Sequence, residues 1–450
     1  MLPAGGLLRA TDSSSTNSTR ARRRACSIPG CAPSSPRDAD PQGGTMGADR
    51  PLRVCLPIPK YPPVFSGMGI QIQRSLPFLS ARGVEVTVLT HRLPRSFGSV
   101  LPETNRAVDR VLAYGVGRIA TLWRVGQFRR YFETHRGIFD VLHCDMLGWE
   151  FLLNVRRLKS LGLPVIMEMV LLDGDDPVAT SRERLGTFKL GFLKHVDAWV
   201  GISGAFLPRV LAAGIPRERF HLIYPGVEVG SYRPLTPDER TRTRARLGIP
   251  VDSRIVVSVG SVIRRKGIDR LLSAWTRIEP VRGRDLLLIV GPATAADGLS
   301  GPDLAFARTI HEAIRAPRLA GTIRLVGRAE NVQEYIGAAD VFLLLSRQEG
   351  LPIVSVEALA AGLPCVVSPL DGIDEIVLEG KTGFIVRDPD DPHAVAAVVT
   401  RLLDRPQERA ALSARARAIA LTRFSFDARA DALASLYRQL ASRGKPAGPE

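Results

Sequence analysis

Two carboxylates, Glu349 and Glu357, stand with seven residues between them, and Gly350-Leu351-Pro352 follows the first. Upstream lies the apolar run Ala338–Leu345, which reads as a buried parallel strand ending just before Glu349. Downstream the stretch through Leu359-Ala360-Ala361 reads as a helix that Gly362-Leu363-Pro364 stops before a new strand at Cys365-Val366-Val367. The pair therefore sits at and just past the C-terminal end of a strand, beside a helix N-terminus. In open α/β sheets ligands bind there. A helix N-terminus favours phosphate, and a carboxylate, which only accepts hydrogen bonds, suits the hydroxyls of a sugar. Together these imply a nucleotide-sugar site. Either Glu alone reads equally well as a macrodipole partner or a solvated helix residue; the paired spacing carries the inference.

The elements that would position this site alternate between strand and helix. Leu52–Ile58 reads as a strand, followed by the Pro/Gly-rich loop Tyr61–Gly69, a helix over Ile70–Ala81, a stop at Gly83 and a second strand at Val84–Leu89. Gly67 and Gly69 in that loop would let the backbone approach a ligand closely. Further strands are expected at 141–143, 165–167 and 196–202, with Ser203 as a helix cap and Asp176-Pro177 as an N-cap and N1 pair. The acidic cluster Asp173, Asp175 and Asp176 is read as capping or acceptor-loop residues rather than a metal site. After a linker at Tyr224–Leu235, Thr236-Pro237-Asp238-Glu239 reads as a capping box. Strands are then expected near 255–259, 286–290, 323–326, 341–345 and 365–367. The pattern predicts an α/β fold with doubly wound parallel sheets.

These motifs resemble the retaining glycosyltransferases with two Rossmann-like domains, the GT4 type of the GT-B fold. The E-G-x-P segment followed by an E-A dipeptide is the family's signature. Val257–Gly260 with Arg265-Lys266-Gly267-Ile268-Asp269 is similar to its phosphate-binding strand and loop. Leu370–Val377 with Gly380–Phe384 is similar to the segment after the second Glu, and Pro225-Gly226-Val227-Glu228 to its interdomain hinge. The likeness spans roughly residues 52–441 and implies two Rossmann-like domains facing across a cleft: a tail at 1–50, an acceptor domain at 51–230, a nucleotide-sugar domain at 231–423, a helix at 424–441 crossing back to the first domain, and a flexible end at 442–450.

The resemblance also assigns roles. Lys266 should hold the diphosphate, where a fixed cation counts most if water is excluded; a solvated surface lysine is the plainer alternative. Glu357 should accept from the ribose hydroxyls and Glu349 should contact the donor sugar. Gly350, Leu351, Ser261, Arg265 and Arg328 should line the donor, and the N–H groups of Gly372 and Ile373 should help hold its phosphates. Gly67 and Gly69 should lie near the phosphates and acceptor. The family's retention is described as front-face departure and attack, with the leaving phosphate helping to deprotonate the acceptor. No metal or cofactor is implied. Two positions depart from the pattern. Ser261 stands where many relatives carry a second cation, and Asp145, in His143-Cys144-Asp145, stands where they carry a sugar-facing histidine. Asp145 or His143 would then serve at the sugar. Alternatives are a nucleotide-sugar epimerase on the same plan, or a binding protein without turnover.

Composition sets outer bounds. The chain has 450 residues, enough for two domains, and 61 Lys and Arg against 45 Asp and Glu. The excess favours anionic partners such as nucleotide diphosphates or lipid phosphates; no nucleic-acid-binding motif is present, so nucleic acid is not expected as a partner. No apolar run reaches the roughly 18–20 residues needed to span a bilayer. The Cys residues are scattered with no metal-like spacing, which fits a reducing cytoplasm. Residues 1–50 lack hydrophobic periodicity and are expected to add nothing to the fold. Basic and aromatic residues interleave at Arg124, Phe128–Phe132 and again at Arg182–Lys194. Two readings stand: a helix lying on an anionic membrane, peripheral on the inner face, or an amphipathic helix packing its aromatics on the sheet.

Overall fold

The computed structural model describes residues 50–64, 66–93, 108–113, 115, 117–145 and 147–444. The expectations for the tail before residue 50, and for 445–450, lie outside the described residues. Arg50–Glu450 forms one compact unit built on two sheets. The first contains β1 (Leu52–Ile58), β2 (Val84–His91), β3 (Val108–Leu112), β4 (Val141–Cys144), β5 (Val165–Met169), β6 (Ala198–Gly201) and β7 (Phe220–Leu222) in the order β3-β2-β1-β4-β5-β6-β7. The second contains β8 (Arg254–Val259), β9 (Asp285–Val290), β10 (Ile323–Gly327), β11 (Val341–Leu344), β12 (Cys365–Val367) and β13 (Gly383–Ile385) in the order β10-β9-β8-β11-β12-β13. Every pairing in both is parallel. The strand order reverses between β1 and β4 and again between β8 and β11, which makes each sheet a Rossmann-like unit with a ligand crevice at its switch point. Two Rossmann-like sheets in one chain are the architecture that the GT-B resemblance implies.

Central strands are buried on both faces and read as apolar runs, as parallel sheets require: β9, Asp285–Val290, is buried throughout. The capping box forms as the sequence predicts, with Thr236 accepting from Glu239 N and Glu239 accepting in return from Thr236 N. Asp176 caps the helix Pro177–Arg182 through Ala179 N, and Ser203 accepts from Ala205 N. The first helix differs from expectation. It spans Gly67–Ser80, because Ser66 caps it by accepting from Gly69 N at 3.3 Å. Gly67 and Gly69 therefore lie in a first helical turn and not in an open loop. Gly69 still permits a close approach, since a Cβ there would meet the Lys60 carbonyl oxygen at 2.7 Å.

The chain crosses twice between the halves. The forward crossing runs through Tyr224-Pro225-Gly226-Val227; the return follows the helix Pro406–Arg423, where Val227 N donates to Phe424 O at 2.7 Å. The last helix, Phe426–Gly444, packs on β1, β4 and the helix Gly67–Ser80 of the first half. It runs on through Ser442–Gly444, residues expected to belong to a flexible end. Buried polar groups fix its register. Arg429 donates twice to Glu168 on β5, at 2.8 and 2.9 Å, and the Tyr437 hydroxyl meets His143 Nδ1 at 2.7 Å. Burial alone would raise the Glu168 carboxyl, but the Arg429 cation and then His143 hold it at about 2. Among the described residues no helix is long and apolar enough to cross a membrane. Removing one partner of a buried ion pair leaves the other charge uncompensated, so Arg429→Ala should lower the unfolding free energy by about 3 kcal/mol. Urea unfolding of parent and variant measures this; an unchanged midpoint would show that Glu168 and Arg429 do not hold the helix.

Candidate active site

The second switch point brings the β8 and β11 connections side by side. Beyond β8 the chain passes Gly260, at φ +151°, and enters the short turn Arg264–Lys266. Gly267 follows at φ +66°, where a Cβ would overlap the Leu345 carbonyl oxygen, so only glycine lets this turn lie against the end of β11. The two loops are then stitched together. Arg347 N donates to Arg265 O at 2.8 Å, and the Arg347 guanidinium grips both Asp269 oxygens at 2.7 Å.

Glu349 occupies the centre of this junction. Its Oε1 accepts from Lys266 Nζ at 2.6 Å and from Ser346 Oγ at 2.7 Å, and its Oε2 accepts from Arg265 at 3.0 Å. One carboxylate thus shares two cations, and the cluster carries a net positive charge beside the N-terminus of the helix Ile353–Ala360. That is a landing place for an anion. An arriving phosphate would draw off Lys266 and Arg265 and release Glu349 for a neutral hydroxyl. Leu351 is buried next to it, and Gly350 has no room for a side chain because a Cβ would overlap the Val170 carbonyl oxygen of the first half. A separate cavity of about 30 Å³ lies between the halves, its lining including Met68, Ile72, Glu168, Val170, Ile353 and Arg429.

Glu357 lies one helical face further on and is only 8% exposed. It is hydrogen-bonded to Tyr232 of the linker and faces Arg74 of the first half. Burial pushes its carboxyl up to about 7, against the pull of Tyr232 and Arg74. Ser261 follows Gly260 at the mouth of β8, and Arg328 stands at the C-terminal end of β10, an edge strand separated from β11 by β9 and β8. Gly372 is left-handed at φ +73°, and Ile373 N donates to Leu370 O at 3.1 Å. The Ile373 N–H thus closes a turn onto Leu370 in this structure.

In the first half, His143 and Asp145 separate. His143 is 2% exposed; Nδ1 meets Tyr437 and Nε2 faces Glu168 at 3.1 Å. Both ring nitrogens are turned to the C-terminal helix and β5, where His143 joins Tyr437 and Glu168. Asp145 follows the end of β4, with Oδ1 shielded from water and no hydrogen-bond partner among the described residues. Burial, then Glu168 and Asp175, push its carboxyl well above the ordinary range. The acidic cluster resolves into caps and pairs: Asp176 caps its helix, Asp175 accepts from Leu171 N, and Asp173 pairs with Arg209 at 3.0 Å. Sequence reading missed Ser346, the Arg347–Asp269 clamp and the Arg74–Tyr232 surroundings of Glu357; apart from Ser346 standing three residues before Glu349, no local pattern signals them.

The profile of the glycosyl transferases group 1 matches residues 239–419, and that of the glycosyl transferase 4-like domain matches residues 66–226. Both halves of the chain thus match glycosyltransferase family models, and the protein is a glycosyltransferase. It is 26% identical over 389 residues to the lipopolysaccharide core biosynthesis mannosyltransferase LpsB of Rhizobium meliloti (strain 1021), covering 85% of this chain and 96% of that protein. It is 33% identical over 246 residues to a D-inositol 3-phosphate glycosyltransferase of Xylanimonas cellulosilytica, covering 52% of this chain and 54% of that protein. Among solved structures, sucrose-phosphate synthase of Thermosynechococcus elongatus superposes with a TM-score of 0.70 at 22% identity, over 87% of this chain and all of that one. Anabaena Alr3699/HepE, solved in complex with UDP and glucose, superposes with a TM-score of 0.68 at 17% identity, over 86% of this chain and 100% of that one. These structural likenesses confirm the fold.

The perturbed Glu357 gives the glycosyltransferase a signature in pH. Its folded value of about 7 lies above the ordinary carboxylate value, so the folded state binds this proton more tightly than the unfolded chain. Its contribution is fully present below the ordinary range and is lost as pH rises to about 7. Parent minus Glu357→Gln should therefore show a stability difference that shifts by on the order of 3 kcal/mol against the parent between pH 4.5 and 7.5. Chemical unfolding across that range checks it; parallel curves would show that Glu357 titrates normally.

Proposed function

We propose that this glycosyltransferase moves a sugar from a nucleotide diphosphate sugar to an acceptor hydroxyl with retention of configuration and without a metal. The observation that carries the reading is the sharing of Glu349 between Lys266 and Arg265 at the β8–β11 switch point. The solved complexes of Alr3699/HepE with UDP, and with UDP-glucose, support a nucleotide-sugar donor.

Lys266 and Arg265 take the diphosphate, whose charge grows as the bond from the anomeric carbon to the phosphate oxygen breaks. Stabilisation that increases toward the transition state raises turnover and not merely affinity. Glu349, relieved of its cations, accepts from sugar hydroxyls near the reacting carbon. Glu357 accepts from the ribose. The acceptor oxygen forms its bond to the anomeric carbon on the face that the phosphate leaves, and its proton passes to the departing phosphate oxygen. Asp145 approaches the sugar from the first half. Two carboxylates in the glycosidase sense are not required.

For the acceptor we infer a lipid-linked glycan or glycolipid, met at the inner face of a membrane from the cytoplasm. The relation to LpsB supports the class of acceptor. The helix Arg118–Thr134 supports the surface, though not through the residues the sequence singled out. Arg124, Phe128, Tyr131 and Phe132 are buried in the first half, as the packing reading holds. The exposed side chains are Ile119 at 75%, Leu122 at 68% and Trp123 at 64%, one apolar face of the first turns beside Arg118. Such a face suits the interface of an anionic bilayer. Binding to vesicles of phosphatidylglycerol should fall with salt and should be lost in Leu122→Asp/Trp123→Asp with folding intact; equal binding by parent and variant would exclude this face.

The donor site is tested by three variants, with calorimetric titration of UDP and GDP beside transfer rates. Glu357→Ala should weaken the bound nucleotide by about 1.5–3 kcal/mol, the worth of hydrogen bonds to a charged group. Glu349→Ala should depress turnover and spare free nucleotide. Lys266→Ala should damage both. If Glu349→Ala loses the nucleotide while Glu357→Ala keeps it, the two roles are exchanged; full transfer by all three would place the reaction elsewhere.

A further inference from the structure

Glu375 belongs to the second half by sequence and to the first by its bonds. It ends the short turn Ile373–Glu375 after β12. Its Oε1 accepts from Ser203 Oγ at 2.8 Å and from Gly204 N at 2.8 Å; its Oε2 accepts from Gly204 N at 3.0 Å and from the Tyr224 hydroxyl at 2.8 Å. Ser203 and Gly204 open the turn beyond β6 in the first half, and Tyr224 lies on the forward crossing between halves. The same Tyr224 hydroxyl accepts from Arg423 at 2.7 Å, and the Arg423 guanidinium lies 4.9 Å over the Tyr224 ring. Arg423 ends the helix that leads into the return crossing. One carboxylate thus joins the first domain, the forward crossing and, through Tyr224, the return crossing.

The loop that carries Glu375 also holds Gly372, which the family resemblance sets beside the donor phosphates. Gly372 sits three residues before it, left-handed, so close to the first half that a Cβ would overlap Ser203 Oγ. Any parting of the halves exchanges these bonds for water, and the Leu370–Glu375 loop then loses its anchor. We propose that Glu375 is a positioning residue that sets this loop in its reactive geometry only when the first domain is docked, so that transfer is coupled to closure of the acceptor half over the donor. The proposal rests on the donor assignment above. Glu375 need not touch the substrate to act in this way.

The test uses the full chain as parent, Glu375→Ala, Glu375→Gln and Tyr224→Phe. Small-angle scattering without ligand reads closure; calorimetry with UDP and GDP reads the donor site; steady-state transfer separates kcat from KM. Misplacing a substrate-facing loop by about an ångström costs on the order of a hundredfold, so Glu375→Ala should lower kcat by one to two orders of magnitude. Its nucleotide affinity and thermal midpoint should stay near the parent's, and its radius of gyration should rise. Gln should restore part of kcat, because an amide oxygen still accepts from Ser203 and Gly204. Tyr224→Phe should fall between, and should add little in the Glu375→Ala background. Parental kcat in Glu375→Ala, or unchanged compactness, overturns the proposal. So does an equal loss in Ala and Gln accompanied by a lower thermal midpoint, which would mark Glu375 as plain structural support. If neither nucleotide binds the parent, the donor assignment fails, while the scattering comparison still decides whether Glu375 holds the halves together.

Discussion

A parallel sheet whose strand order reverses must send the connections of two adjacent strands to opposite sides, and the gap between them opens only at the C-terminal strand ends. The rest of this structure follows from how that gap is filled at β8 and β11. Two cations come from one connection and a carboxylate from the other, and their attraction closes the gap without a ligand. Removing Glu349 would leave Lys266 and Arg265 repelling each other at the mouth of the sheet. Removing the cations would leave a partly buried carboxylate held by Ser346 alone. The site is a charge cluster with one cation in excess, which an anion can enter by exchange.

The two halves meet through backbone as much as through side chains. Gly350 against Val170 and Gly372 against Ser203 are positions where the halves touch so closely that no side chain fits. Such contacts are unforgiving of displacement, which makes docking closer to two-state than continuously adjustable. Around them lie groups that tolerate water: Arg74 facing Glu357, and Glu375 with its hydroxyl and amide donors. Close backbone fit sets where the halves stop, and the polar groups set how readily they part.

Much of the fold was legible because buried parallel strands are apolar on both faces. The interior strands β1, β4, β5, β8, β9, β11 and β12 all stand out as runs. The strands that escaped notice, β3, β7 and β13, are each at the edge of a sheet. Edge strands are short and half-solvated, and Val108-Asp109-Arg110-Val111-Leu112 or Phe220-His221-Leu222 carries too little apolar signal to announce itself. Caps were legible for a different reason: Thr236 with Glu239, Asp176 with Pro177, and Ser203 act within a few residues of themselves. The same locality explains the misplaced glycines. Ser66 reaches only to Gly69, yet that one bond moves Gly67 and Gly69 from a loop into a helix.

The site was legible in part, and the division follows sequence distance. Glu349, Gly350 and Glu357 lie within one strand–helix joint, so their spacing carried information. Lys266 and Arg265 were named by resemblance, but their pairing with Glu349 was not, since they lie 83 and 84 residues away on a loop that only the β8–β11 pairing brings near. Arg74, Tyr232 and Glu375 act between segments that no local periodicity relates. His143 shows the converse. Its place beside Cys144-Asp145 made it a candidate for chemistry, but its side chain answers to Tyr437, 294 residues onward. An imidazole at the end of a central strand can face the crevice or the helix packed beneath it, and burial of Glu168 decides between them. Arg429 and His143 are both turned to that carboxylate, while Asp145, just past β4, keeps a shielded Oδ1 without a hydrogen-bond partner among the described residues.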